Sequence, residues 1–77
     1  MSIQIKLFGP LTDVVGASQI ELTNIADTDS LKHKMLNDFP KLKNCQFMVA
    51  VCKKISKENI ILRPGDEVAL LPPFAGG

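Results

Sequence analysis

The chain has no tryptophan, no tyrosine and a single histidine, His33. Its two cysteines, Cys45 and Cys52, stand seven residues apart. Structural and catalytic metal sites need three or four ligands at usable spacing, so no metal is expected. An isolated cysteine pair in a chain without an export signal reads as two free thiols rather than a disulfide framework. Apolar runs are far too short to span a bilayer. The N-terminus begins directly as a strand and not as a basic, then apolar, leader. No membrane partner is therefore expected, and a cytoplasmic location is. An excess of charge of either sign is also missing. With 9 Lys and Arg against 8 Asp and Glu, the net charge is +1, which exerts no strong pull on nucleic acid. His33 and its neighbours Lys32 and Lys34, with Lys41 and Lys43, read as a solvated face.

What remains is enough for one small domain. The chain has 77 residues, 45% of them apolar, a globular composition with a modest core.

Ile3 to Phe8 alternates cleanly, with Ile3, Ile5 and Leu7 on one face and Gln4, Lys6 and Phe8 on the other. That period of two predicts a half-buried strand, ended by Gly9-Pro10. Leu11 to Val15 is a candidate turn of helix. Gln19 to Leu22 reads as a second strand with Ile20 and Leu22 inward. Asp27-Thr28-Asp29-Ser30 is a helix start, with Asp27 or Thr28 as cap and Asp29 at the positive end of the dipole. Leu31, Met35, Leu36 and Phe39 form the apolar stripe of the helix that follows. Phe39-Pro40 closes it. Lys41 to Gln46 reads as a polar connection.

Phe47 to Cys52 has no polar face and predicts a strand buried on both sides, Cys52 included. Lys53 to Asn59 is charged and irregular apart from Ile55. Ile60 to Leu62 reads as a short, weak edge strand or a turn, Arg63-Pro64-Gly65-Asp66 as a turn, and Glu67 to Leu71 as the last strand. The order β, β, α, β, weak β, β requires one helix to cover one face of a mixed sheet of four to five strands. The fold class is α+β, of the β-grasp type. The first and last strands are expected to be central, parallel neighbours.

Residues 1–71 are thus the domain, and 72–77 a tail. Pro72 and Pro73 hold the backbone extended and cannot donate to a sheet ladder. Phe74 and Ala75 lead to Gly76-Gly77, which offer no side chain to block approach. Such a stalk suits threading a carboxylate into another protein's active site.

Strand parity marks a surface beside it. If Ile3, Ile5 and Leu7 face the helix, Phe8 points away. If Val68 and Leu70 face the helix, so does Leu71 point away. With Ile55, an apolar residue among lysines, Phe8 and Leu71 are expected to form one exposed apolar patch of the kind that marks a partner site.

The run Gly65-Asp66-Glu67-Val68-Ala69-Leu70-Leu71-Pro72-Pro73-Phe74-Ala75-Gly76-Gly77 resembles the C-terminal signature of the small subunit of molybdopterin synthase, the MoaD family of ubiquitin-like sulfur carriers. Ile5 to Gly9, Val14 to Gly16 and Val49 to Val51 also fit. The chain departs from that pattern at Phe74, where a smaller residue is commoner, and at Cys52, where asparagine is. Thiamine-pathway carriers share the fold and the Gly-Gly end but are usually shorter and lack the paired prolines.

The resemblance implies a subunit without catalytic side chains of its own. Its reacting group is the Gly77 carboxylate, adenylated by an E1-like adenylyltransferase at the expense of ATP. A sulfur donor system then converts it to a thiocarboxylate. That sulfur attacks a cyclic pyranopterin monophosphate held by the large synthase subunit, within a heterotetramer. Pro72, Pro73, Phe74, Ala75 and Gly76 would line the channel, and Phe8, Ile55 and Leu71 the interface. No bound cofactor, nucleic acid or membrane is implied. Two alternatives remain open: a carrier for thiamine or another thio-metabolite, and a ubiquitin-like modifier or plain binding module.

Overall fold

A computed structural model of the protein describes residues 2–73. The elements run β1 (Ser2–Leu7), α1 (Pro10–Val15), β2 (Gln19–Thr23), α2 (Thr28–Asp38), a 3-10 helix (Pro40–Asn44), β3 (Met48–Val51), β4 (Lys54–Ser56) and β5 (Glu67–Leu71). The strands form one sheet in the order β2-β1-β5-β3-β4. β1 and β5 pair in parallel at its centre, with Ile5 opposite Val68 and Leu7 opposite Leu70. The other three pairings are antiparallel. This is the β-grasp arrangement that the element order calls for.

Burial follows the parity of β1, which alternates exposed and buried from Ser2 to Ile5. Ile3, Ile5, Leu7, Val49, Val68 and Leu70 face α2 and are almost fully shielded from water. Leu31 and Met35 of α2 are fully buried against them, while Leu36 and Phe39 pack half-buried at the margin of the core. The apolar stripe therefore faces the sheet along its whole length, but only its N-terminal half is sealed.

The start of α2 is held by polar contacts. Asp27 is the cap, in extended backbone, and its carboxylate accepts from the Ser30 backbone N–H at 2.9 Å. Contacts from Ser30 foremost, then from the Asn59 amide, hold the Asp27 carboxyl below its ordinary value of 3.8. Thr28 is buried yet satisfied, since its hydroxyl donates to Asn59 and accepts from the Ile60 N–H. The loop 57–62 is thereby tied to the helix start. Leu62 N–H donating to the Ala26 carbonyl at 2.8 Å extends that tie.

Four local expectations are corrected. Lys41 to Gln46 is not a solvated connection, because most of it forms the 3-10 helix and Leu42 is fully buried. The fourth pairing strand lies at Lys54–Ser56, inside the stretch read as irregular. Ile60 to Leu62 supplies only an isolated bridge, Ile61 to Asp27. β3 ends at Val51, and its first and last residues are only half-buried. Cys52, expected inside that strand, is exposed in the turn, with φ of 50°. Lys53 follows at φ 71°, so the two-residue link from β3 to β4 has both central residues in the left-handed region. That is the type I′ geometry, whose twist suits a hairpin and whose usual occupants are Asn and Gly.

Candidate functional site

Sheet register decides which side chains share the face away from α2. Lys6 stands opposite Ala69, Ala69 opposite Ala50, and Ala50 opposite Ile55. Leu71 is opposite Met48 in the neighbouring row. Two alanines thus sit side by side on the central strands, and a low floor results. Phe8, Ile55, Leu71 and the stem of Lys53 rise around it and enclose a shallow groove of about 290 Å³. Phe8 is 46% exposed and Ile55 47%, large values for apolar side chains of this size. Leu71 is half-buried. The structure thus brings Phe8, Ile55 and Leu71 to one groove on the face that no helix covers.

The rim is charged but locally balanced. Lys6 pairs with Glu67 at 3.1 Å, in a bridge between well-exposed groups that contributes little to stability. Glu67 lines the groove together with Lys53, so both signs of charge stand at its rim. Among the described residues, no group of three or more His, Cys, Asp or Glu is placed to hold a metal ion. None of the helices among them is long and apolar enough to cross a membrane. His33 is exposed on α2, away from this groove.

The chain leaves the sheet beside the groove. Phe8 continues the β1 ladder by donating its N–H to the Leu70 carbonyl at 3.2 Å. Gly9 next to it has φ of 59°, and Pro72 packs directly over it, buried. Pro73 is exposed. Of the expected tail, Pro72 is therefore buried against Gly9. Phe74, Ala75, Gly76 and Gly77 lie outside the described residues. Sequence reasoning missed Gly9, which it took only as a strand terminator. The Gly-Pro pair marks a break in the strand, and nothing local announces a contact with residue 72. It also missed Ile61, which is 69% exposed on the loop 57–62.

A five-stranded mixed sheet grasping one main helix, with its last strand central, defines the class of ubiquitin-like β-grasp proteins. Within that class the chain belongs to the ThiS family, whose model matches residues 5–77. The molybdopterin synthase sulfur carrier subunit of Chlamydomonas reinhardtii is 30% identical, with 100% of both chains covered. The protein-protein complex of subunit 1 and 2 of the molybdopterin-converting factor of Helicobacter pylori 26695 contains a chain 25% identical, at a TM-score of 0.73 and with 100% of each chain covered. The small archaeal modifier protein 1 of Methanosarcina acetivorans superposes with a TM-score of 0.81 over 99% of this chain and 96% of its own. At 18% identity, that last likeness is one of fold.

Proposed function

We propose that this protein is the sulfur-carrier subunit of a molybdopterin synthase. The observation that carries the reading is the end-to-end match to a relative bearing that name. The geometry supports it: an uncovered apolar groove lies beside the point where the chain leaves the sheet towards Gly76-Gly77.

In this reading an E1-like adenylyltransferase docks on the groove formed by Phe8, Ile55 and Leu71. The Gly77 carboxylate attacks the α-phosphate of ATP and releases pyrophosphate. A carboxylate is a poor electrophile until its oxygen is part of a good leaving group, and AMP is one. Sulfide-level sulfur (HS⁻) from a donor system attacks the acyl carbon, forms the C–S bond as the C–O bond to AMP breaks, and leaves a thiocarboxylate. The same groove then seats the large synthase subunit, which binds the cyclic pyranopterin monophosphate and supplies the acid–base groups. Two sulfurs make one dithiolene, so two charged carriers are consumed per product. A large-subunit dimer holding two carriers, a heterotetramer, meets that need. The chain's own contributions are a nucleophilic sulfur, a narrow Gly-Gly approach and an apolar docking face.

Intact-mass spectrometry after incubation with an E1-like enzyme, ATP and a sulfur donor tests this. The expected product is heavier by the exchange of one oxygen for sulfur, and it converts the pterin precursor when the large subunit is added. An unchanged mass rejects any sulfur-carrier role. A thiocarboxylate that is inert towards the precursor moves the assignment to a carrier for thiamine or another thio-metabolite.

A further inference from the structure

A second depression, of about 610 Å³, lies on another flank, between the C-terminal half of α2, the 3-10 helix and the β3–β4 hairpin. Leu36, Phe47 and Met48, all half-buried, contribute apolar surface to it. Lys32, Lys43 and Lys57 stand around it, and none of the described residues that line it carries a carboxylate. Two ion pairs occur among the described residues, Lys6–Glu67 and Lys34–Asp38, and neither uses these three lysines. A chain of net charge +1 thus gathers three of its 9 basic residues around one apolar hollow. Ser56 and Lys57 bring the β4 side of the sheet to the same hollow. β4 is the last strand in the sheet order and, among the described residues, pairs only with β3, so they leave its outer edge open to another strand. Pro73 lines the hollow as well, and Ile55 borders both this hollow and the open-face groove.

We propose that this hollow is a docking groove for an extended segment of a partner protein in which apolar side chains alternate with carboxylates. Extended backbone suits the free edge of β4, where main-chain bonds give affinity and alternate side chains give selectivity. Side chains on one side of such a segment fill the apolar floor. Carboxylates meet Lys32, Lys43 and Lys57, which form no ion pair among the described residues. A nucleic-acid strand fits less well, because among the described residues Phe47 is the one aromatic ring in the lining and successive bases need stacking partners. The inference goes beyond the carrier reading and does not require it. Pro73 at the lip places the groove where any protein that takes up the chain end would lie alongside it.

The test is an amide chemical-shift titration of the isotope-labelled full chain with a synthetic peptide alternating Glu with Val and Leu. Shifts are expected at Leu36, Phe47, Ser56 and Lys57. A peptide with Lys in place of Glu should leave them unmoved. The triple variant Lys32→Glu, Lys43→Glu, Lys57→Glu should bind the acidic peptide at least about tenfold more weakly. Should the triple variant fail to fold, K43E and K57E alone should each weaken binding about threefold. Absence of shifts at these residues, equal binding of the basic peptide, or stronger shifts of the same amides by a uridine oligonucleotide would overturn the proposal. Thiocarboxylate formation, read by mass on the same samples, separates failure here from failure of the carrier reading.

Discussion

Gly9 and Pro72 meet so closely that a Cβ on Gly9 would stand 2.9 Å from the Pro72 Cγ. Gly9 also holds φ 59° and ψ −140°, a region that L side chains avoid. The contact sits just past the end of β5, where the chain leaves the sheet. Gly9→Ala should lose about 1–3 kcal/mol of stability from backbone strain. On the carrier reading it should also slow thiocarboxylate formation in the molecules that remain folded. Pro72→Ala removes the clashing atom. Adding it to Gly9→Ala should restore much of the rate without restoring the melting temperature. A double variant as slow as Gly9→Ala would show that the contact does not aim the chain.

Ile55 and Phe8 test the open-face groove with little structural cost. Both are nearly half exposed, so Ile55→Glu and Phe8→Glu should change stability by no more than about 0.5–1 kcal/mol. On the carrier reading, each should weaken binding of the large synthase subunit by about tenfold or more. Leu71→Glu should do the same but also destabilise, because Leu71 is half-buried on the central strand β5. Pull-down with the large subunit, alongside thermal melts, checks all three. Folded Ile55→Glu that binds as well as wild type would remove this groove from the interface.

The β3–β4 turn holds cysteine and lysine at φ 50° and 71°, where each pays a steric penalty that Asn and Gly largely avoid. Cys52→Asn with Lys53→Gly should therefore stabilise the domain by about 1 kcal/mol, or roughly 4–8 °C in melting temperature. The Cys52 thiol lies 3.7 Å from an Asp66 carboxylate oxygen, a weak contact whose loss subtracts little. Scanning calorimetry of the double variant reads the result directly.

Acid stability should report on Asp27. Its carboxyl is held below 3.8 in the folded protein by Ser30 and Asn59, so the folded state favours the ionised form. The stabilisation is complete above the unfolded value and is lost as pH falls through the lowered folded one. Asp27→Ala should be less stable than wild type at neutral pH, and the gap should narrow steadily below about pH 4. Asp27→Asn keeps an acceptor for the Ser30 N–H, so it should lose less at neutral pH, and since it does not titrate either, its smaller gap to wild type should close over the same acid range. Denaturant melts across the acid range distinguish the three proteins.

These expectations rest on features of unequal visibility in the sequence. Period-two patterning made β1 and β5 readable, along with the outward aim of Phe8 and Leu71, because one face of the sheet is sealed by α2. The capping residues before Leu31 made α2 equally plain. β4 was hidden because an edge strand with lysines on it carries the composition of a loop. Leu42 was hidden because a single apolar residue between two lysines has no period. Only the 3-10 turn, forced by Pro40 after Phe39, swings it under the helix. The strand expected at Ile60 to Leu62 fails because that segment is spent on holding Thr28 and Ala26, not on the sheet. The Gly9–Pro72 contact spans nearly the whole chain, and local pattern carries no information at that range.

That range has a consequence for how the molecule comes into being. β5 must slot between β1 and β3, and Gln4 pairs with Glu67, so the central ladder closes over almost the entire length of the chain. Everything synthesised before Glu67 is a set of pieces: a hairpin, a helix, a second hairpin, and a vacant lane between them. Such an intermediate exposes two unpaired edges and half a core, the kind of species that aggregates. A message cut short anywhere ahead of β5 therefore yields no folded competitor for the partner's surface. Only chains long enough to carry β5 can present the groove of Phe8, Ile55 and Leu71.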